Sequence, residues 1–219
     1  MLKLLLADGI ERRALNVLCI GAHCDDIDLG CGGTLLALLA RRRPANVTWV
    51  TFSGSVERQR ELRASARRFL RNARAVSVVT HEFRDGFFPA DQARIKERFE
   101  AMKRLPNPDV IFTHQRAEFH QDHRLLAELT WNTFRDHLIL EYEIPKYEGG
   151  LTTPNLYVAL GKAQVERKVR ILMDSYRSQR GKSWFTADTL RAMMRLRGIE
   201  SGGATGWAEG FHASKVLVG

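Results

Sequence analysis

Two groups of acidic and histidine side chains stand out in the sequence because each follows a short apolar run. The first group is His23, Asp25 and Asp26, at the end of the apolar residues 16–22. Adjacent carboxylates in a crowded crevice repel each other and lose hydration unless a cation neutralises them. An Asp-Asp pair by itself is also common in turns and helix caps. The histidine beside the pair favours a metal ion.

The second group lies in the segment HQRAEFHQDHR, which follows the apolar residues 109–113. This segment contains His114, His120, Asp122 and His123, and we expect it to form a loop. In open α/β sheets, ligands bind beyond the carboxyl ends of the strands. If both apolar runs are strands of one parallel sheet, the two groups meet at the same edge.

His23, Asp26 and His123 are the predicted metal ligands. Two histidines and one carboxylate form the ligand set of many catalytic zinc sites, in which water occupies the fourth position. The same set is compatible with other divalent metals such as Fe²⁺, Co²⁺ or Mn²⁺.

Three further side chains have predicted catalytic roles beside this metal. Asp25 is suited to act as general base, because it can take a proton from a metal-bound water. Asp122 is expected to hydrogen-bond to a neighbouring histidine and set its tautomer. His120 is expected to present a proton or a positive charge to an oxyanion.

The elements that must position these residues form an alternating pattern. Short, β-branched, nearly continuous apolar runs indicate strands buried on both faces, at 16–22, 47–53, 76–79, 109–113, 139–144 and 155–160. Helical patterns occupy 32–43, 57–72, 91–104 (with Asp91 as N-cap), 162–174 and 186–198. This alternation predicts a Rossmann-like α/β fold, with a mainly parallel sheet flanked by helices, as a single domain over residues 1–219.

The formal charge of +9 favours anionic partners. One basic concentration is residues 41–43, and Arg63, Arg67, Arg71 and Arg74 have the spacing of a solvated helical face. Aromatic residues interleaved for base stacking are absent there, so we expect no nucleic acid partner, and a basic nucleic-acid binder is only the third hypothesis. An anionic small-molecule substrate is the favoured interpretation.

The N-terminal segment, the hydropathy and the cysteines indicate in which compartment the protein is expected. The N-terminal segment MLKLLLADGIERRAL has an apolar patch too short for a signal peptide, and no segment reaches the ~20 apolar residues of a membrane span. Cys19, Cys24 and Cys31 lack the close pairs of cysteine-built zinc sites, and we expect free thiols, with Cys19 in the core. We therefore expect a cytoplasmic protein without a membrane span; a homo-oligomer is left open.

Two other kinds of active site fit the sequence poorly. GCGGT at 30–34 follows a strand, as in dinucleotide-binding turns, but Leu35 stands where the G-x-G-x-x-G pattern needs glycine, and the acidic residues before it would repel a pyrophosphate. We expect these glycines to allow close packing of a helix behind the metal turn. The segment SGS at 53–55 lacks the G-x-S-x-G elbow of serine hydrolases.

Taken together, the motifs resemble those of a known family. AHCDDIDLGCGGTL is similar to the AHPDDE-x-x-x-GCGGTL signature of the PIG-L or LmbE-like N-acetylglucosaminyl deacetylases, and HQDH at 120–123 is similar to their H-P-D-H motif. Further similar segments follow in order along nearly the whole chain: RQRE at 58–61, FRDGFFP at 83–89, PDVIFTH at 108–114, YRSQ at 176–179 and AEGF at 208–211. Two departures are Cys24 and Ile27, which replace the usual proline and glutamate.

The resemblance implies a zinc-dependent hydrolase that removes the N-acetyl group from an amino sugar or a sugar conjugate. It implies the same zinc ligands and the same base, with His120 steadying the tetrahedral oxyanion and Asp122 orienting His120. It also implies that Arg58, with Arg60 as a rival, and Asp85 contact the sugar. The alternative is a metal-containing sugar- or nucleotide-binding protein without turnover, which the presence of a base and an oxyanion group disfavours.

Overall fold

Within the described residues, seven strands form one mainly parallel sheet. They are β1 (Leu15–Gly21), β2 (Ala45–Thr51), β3 (Ala75–Thr80), β4 (Val110–His114), β5 (Ile139–Tyr142), β6 (Leu156–Ala159) and β7 (Ala208–His212). Their order is β3-β2-β1-β4-β5-β7-β6, and the first five are parallel, whereas β7 is antiparallel to both of its neighbours. The predicted single-domain α/β fold with a mainly parallel sheet is therefore confirmed.

The structure is a computed structural model. In the described part of the chain, six α-helices cover the two faces of this sheet. They are α1 (Asp26–Leu39), α2 (Val56–Phe69), α3 (Gln92–Met102), α4 (Gln121–Thr133), α5 (Lys162–Ser175) and α6 (Ala187–Glu200). Apolar side chains of β1 alternate between the faces: Val17 and Cys19 join the core under α1, α2, α5 and α6, while Leu18 and Ile20 join the core under α3 and α4. This alternation follows from the two-residue period of a strand.

The first helix begins earlier than the glycine-rich sequence predicts. We expected a helix at 32–43, but α1 starts at Asp26, so the glycines lie inside it. A Cβ on Gly30 would lie 2.2 Å from the ring of Tyr142, and one on Gly32 would lie 2.8 Å from the ring of Phe69. The glycines therefore allow close helix packing, as expected, and the helix includes part of the proposed site.

Other differences concern where elements begin and end. The segment after β4 was expected to be a loop, but it enters α4 at Gln121. Helix α2 ends at Phe69, so Arg71 and Arg74 do not continue its exposed face. Asp91 does occupy the N-cap position of α3, but its carboxylate pairs with Arg94 instead of capping the backbone. Strand β7 has no apolar run long enough to predict it.

The structure describes residues 13–40 and 44–217. The N-terminal apolar patch and the basic residues 41–43 lie outside these ranges. None of the helices within them combines the length and the apolar character needed to cross a bilayer.

Candidate active site

The two groups of chemical side chains meet at the carboxyl ends of β1 and β4. His23 lies in the turn after β1, and Asp26 is the first residue of α1. On the neighbouring strand, His114 ends β4, and His123 lies in the first turn of α4. Parallel pairing of the two strands brings these side chains to one edge of the sheet.

Three potential metal-ligating atoms converge there. The distance from His23 Nδ1 to His123 Nε2 is 3.0 Å, and Asp26 Oδ2 lies 3.4 Å from His23 Nδ1 and 3.5 Å from His123 Nε2. Ligands about 2.0 Å from a tetrahedral zinc ion are separated by about 3.3 Å. All three side chains are at most 12% exposed. The spacing therefore fits one small cation.

The outward nitrogen of each imidazole faces a carboxylate. His23 Nε2 lies 3.0 Å from Asp85 Oδ1 and 3.3 Å from Asp122 Oδ2, and His123 Nδ1 lies 3.3 Å from Glu118 Oε2. Such carboxylates hold the proton on the outward nitrogen and leave a lone pair on the inward one. Three inward acceptors repel each other unless a proton or a cation lies between them, so these residues fit a divalent metal.

Protonation of the two histidines agrees with this description. Burial disfavours the charged form of His23, but the Asp26 charge and the hydrogen bond to Asp122 raise its pKa well above the usual value. Burial and the neighbouring His114 lower the pKa of His123 to about 3. In the metal-free protein, the proton on His23 therefore supplies the positive charge between the two rings. A divalent cation would replace that proton.

Asp25 lies apart from this triangle, at the N-cap position of α1. Its carboxylate is 5% exposed and forms an ion pair with the guanidinium of Arg58. Burial raises the pKa of Asp25 above its ordinary value, and Arg58 offsets part of that rise. The structure thus brings Asp25 next to the ligand cluster with a different partner from that of Asp26.

His120 and Asp122 differ in their contacts from what the resemblance implies. The Asp122 carboxylate contacts His23, and it also accepts hydrogen bonds from the backbone N–H of Gly86 (2.6 Å) and Phe88 (3.1 Å). Its backbone N–H, not its carboxylate, reaches His120 Nδ1, at 3.3 Å. Asp122 therefore orients His23 and the segment around Gly86, and His120 Nε2 is left as the N–H donor of a neutral ring.

The two side chains expected to contact a sugar lie beside the cluster and are more exposed than the three proposed ligands. The side chain of Asp85 is 64% exposed and touches His23, as described above. Arg58 is partly buried against Asp25, whereas Arg60 is exposed on α2. Of the two arginines, Arg58 is the one that the structure brings to the cluster.

The two positions that depart from the family signature are part of the core. Cys24 is 1% exposed, and its thiol donates to the carbonyl of Ser53 at 3.4 Å. Ile27 is fully buried against Gly21. All three cysteines are free and buried, and the groups of potential metal ligands among residues 13–40 and 44–217 contain none of them.

Sequence reasoning missed two residues of this site. His114 was noticed but had no role; its Nε2 accepts the backbone N–H of Ala22 at 3.0 Å and lies 3.2 Å from Asp26 Oδ2. Glu118 was not singled out at all. The sequence shows that it lies two residues before His120. Its burial and its ion pair with Lys146, however, depend on the segment after β5, whose proximity cannot be predicted from sequence spacing.

Solved structures with the same fold include enzymes of different reactions. A conserved protein from Thermus thermophilus is 22% identical, with 94% of this chain and 97% of that chain covered and a TM-score of 0.72. The N,N'-diacetylchitobiose deacetylase from Pyrococcus horikoshii is 21% identical (92% and 84% covered, TM-score 0.65). The 4-carboxy-2-hydroxymuconate hydratase GalB from Pseudomonas putida KT2440 is 14% identical (94% and 98% covered, TM-score 0.73). At these identities the likeness establishes the fold alone.

A sequence model of one family also matches this chain. The model is described as GlcNAc-PI de-N-acetylase (PIG-L), and it matches residues 18–134, which is more than half of the chain and includes both groups of site residues. The chain therefore belongs to the PIG-L family, that of the GlcNAc-PI de-N-acetylases.

Proposed function

We propose that this protein is a metal-dependent N-deacetylase, which hydrolyses the N-acetyl group of an amino sugar or a sugar conjugate and uses Zn²⁺. The observation that carries the proposal is the convergence of His23 Nδ1, Asp26 Oδ2 and His123 Nε2 within 3.5 Å of one another. Membership of the PIG-L family supports the reaction class, because its members are described by an N-deacetylation.

In this proposal His23, Asp26 and His123 hold the metal. A bound divalent cation would supply Lewis-acid chemistry, by lowering the pKa of water and polarising the amide carbonyl. Asp122, Asp85 and Glu118 keep the protons of the two imidazoles on their outward nitrogens. The ligands therefore need no rearrangement to accept the ion.

Asp25 acts as the general base. Burial raises the pKa of this carboxylate, which makes it a better proton acceptor than an exposed aspartate. It takes a proton from the attacking water and returns it to the nitrogen as the C–N bond breaks. The products are acetate and a free amine, and water supplies both the oxygen gained by the acetyl group and the hydrogen gained by the nitrogen.

His120 stabilises the negative charge that develops on the acetamide oxygen. Its Nδ1 accepts from the backbone of Asp122, so the neutral ring carries its proton on Nε2, which can donate. The ring lies at the N-terminus of α4, with its centroid 4.6 Å from that of His123 and 5.0 Å from that of His23. Asp85 and Arg58, which contact His23 and Asp25 respectively, are proposed to bind sugar hydroxyls.

The net charge of +9 supports a substrate with a phosphate or another anionic group. A comparison of neutral and phosphorylated N-acetylglucosaminides tests this part of the proposal. We expect a higher kcat/KM for the anionic compounds and a decline of that preference with added salt. Equal turnover of a neutral compound, unaffected by salt, would contradict it.

The direct test of the reaction uses protein stripped of metal with a chelator and reloaded with Zn²⁺. N-acetylglucosamine conjugates are supplied, and acetate and primary amine are measured in parallel. The proposal predicts equal amounts of both products, their loss without metal and their return with Zn²⁺. Tight zinc binding without any amine or acetate would favour the sugar-binding alternative.

A further inference from the structure

Glu118 is a fully buried carboxylate with four hydrogen-bond donors around it. Its Oε1 accepts the backbone N–H of Phe119 at 2.7 Å and of His120 at 3.4 Å. Its Oε2 accepts Lys146 Nζ at 2.6 Å and faces His123 Nδ1 at 3.3 Å. The side chain is 1% exposed. A buried carboxylate with this many donors stays charged and can only accept hydrogen bonds.

The charge of Glu118 decides which nitrogen of His123 carries the proton. Because an ionised carboxylate is an acceptor only, the contact with His123 Nδ1 requires a proton on that atom. The neutral ring then has its lone pair on Nε2, the atom that faces His23 and Asp26. In the reverse tautomer, Nε2–H of His123 would point into the proposed metal position. Its unprotonated Nδ1 would then face the Glu118 carboxylate, and the two would repel each other.

Lys146 keeps this carboxylate in place. The lysine follows β5, its side chain is 8% exposed, and its Nζ donates both to Glu118 and to the carbonyl of Ile144, the latter at 3.0 Å. The pair thus connects the segment after β5 with the segment between β4 and α4. It also neutralises a charge that burial would otherwise make costly.

We propose that Glu118, held by Lys146, is a positioning residue of the active site, which fixes the tautomer and the ring orientation of His123. The inference rests on the proposed function in one respect, that His123 Nε2 is a metal ligand. The tautomer itself is a property of the metal-free protein and is tested separately. Partners of this kind are worth about 10-fold to 100-fold in metal affinity.

The chain offers a matched control for the loss of such a charge. Glu209 is 4% exposed and pairs with the buried Lys168, and it also accepts the backbone N–H groups of Gly33 and Thr34. The hydrogen bonds described for Glu209 include the Thr34 hydroxyl but no histidine. Glu209→Gln therefore removes a comparable buried charge without touching a proposed ligand.

The first measurement is the side-chain ¹⁵N spectrum of the histidines in metal-free, unmodified protein. We expect His123 to carry its proton on Nδ1. A dominant Nε2–H tautomer would overturn the inference without the need for any variant. If the unmodified protein does not bind Zn²⁺ at all, the proposed function fails, whereas this spectrum still decides the role of Glu118.

The second measurement is the Zn²⁺ dissociation constant of Glu118→Gln and Glu209→Gln, by competition with a chelator. Glu118→Gln is expected to weaken Zn²⁺ binding by about 10-fold to 100-fold and to increase the Nε2–H form of His123. Glu209→Gln should leave both unchanged, even if it lowers the thermal stability equally. Equal zinc affinity in Glu118→Gln and the unmodified protein, or equal losses in both variants, would contradict a positioning role.

Discussion

Asp25 and Asp26 are consecutive in the chain, yet their carboxylates lie in opposite electrostatic surroundings. Asp26 Oδ2 is within 3.5 Å of a nitrogen of His23, His114 and His123, and these rings hold the pKa of Asp26 well below its usual value despite burial. Burial raises the pKa of Asp25, whose ion-pair partner is Arg58. The turn into α1 separates the two side chains, and it gives each a different chemistry.

Removal of Arg58 tests whether Asp25 is the base. The guanidinium lowers the pKa of Asp25, so Arg58→Met should raise that pKa. A base must be unprotonated to act, and the acid limb of the pH–kcat profile should therefore move to higher pH. Arg63→Met, on the exposed face of the same helix, is the control and should leave the limb in place. An unmoved limb in Arg58→Met would mean that another group titrates.

Cys24 is predicted to be neither a metal ligand nor a nucleophile. The thiol donates to the carbonyl of Ser53 and belongs to none of the groups of potential metal ligands in the described residues, and burial raises its pKa to about 12, which disfavours a nucleophilic thiolate at neutral pH. Cys24→Ala should keep full zinc content and turnover, and lose about 1 kcal/mol of unfolding free energy for a small cavity. Cys31→Ala, a second buried thiol, is the control for that cavity. Loss of zinc from Cys24→Ala would show that the ligand assignment is wrong.

The strands and the meeting of the two side-chain groups could be predicted from sequence, because buried parallel strands have a local signature. The apolar runs at 16–22 and 109–113 became β1 and β4 with shifts of about one residue. Parallel pairing then fixes which ends meet. That the side chains of His23, Asp26 and His123 meet follows from this topology, whereas their choice as metal ligands remains a prediction from residue type.

The start of α1 could not be predicted, because its cause is long-range. The glycine-rich stretch at 30–33 is typical of a loop. Only the close approach of Tyr142 and Phe69 makes glycine suitable inside this helix. Glu118 was missed for a similar reason, since Lys146 lies far along the chain. The contacts of Asp122 also depend on the fold of the segment around Gly86, which no spacing rule describes.

Gly30 provides a test of this packing. Gly30→Ala would place a Cβ 2.2 Å from the ring of Tyr142, whose hydroxyl is fixed by the carbonyl of Ile20 at 2.7 Å. We expect a loss of about 3 kcal/mol of unfolding free energy, measured by urea denaturation. Gly181→Ala, where a Cβ meets nothing within 4 Å, is the control and should change stability by less than about 0.5 kcal/mol. Equal stability of the two variants would contradict this explanation of α1.

Asp28 is predicted to hold a proton in the folded protein at pH values below about 7. The Tyr176 hydroxyl lies 2.7 Å from both the carbonyl oxygen of Cys24 and Asp28 Oδ2, and its single proton can serve only one of them. The carbonyl can only accept, so the second hydrogen bond needs a proton on Asp28. Burial agrees with this assignment, since it raises the pKa of Asp28 to about 7 even though the Ser65 hydroxyl donates to the other carboxyl oxygen.

The consequence is a pH-dependent stability of the metal-free protein. A pKa that is higher in the folded state than in the unfolded state stabilises the fold at low pH, and the contribution is lost as pH rises from about 4 to about 7. Asp28→Asn has no proton to lose at this position. The difference between its unfolding free energy and that of the unmodified protein should therefore shift in favour of the variant by up to about 1.4 kcal/mol for each pH unit in that window. Urea denaturation at several pH values measures the difference, and parallel curves would mean that Asp28 is ionised in the fold.

Two adjacent aspartates with different functions are central to the proposed site, and the most direct test is zinc content and turnover of Asp25→Asn and Asp26→Asn side by side. Asp26→Asn replaces an anionic ligand by a weak neutral one and should leave the purified protein largely without zinc. Asp25→Asn keeps the shape but cannot accept a proton, so zinc should stay bound while turnover falls by about 10²-fold to 10⁴-fold. Equal zinc loss in both variants would make both residues ligands, and a fully active Asp25→Asn would contradict its role as the base.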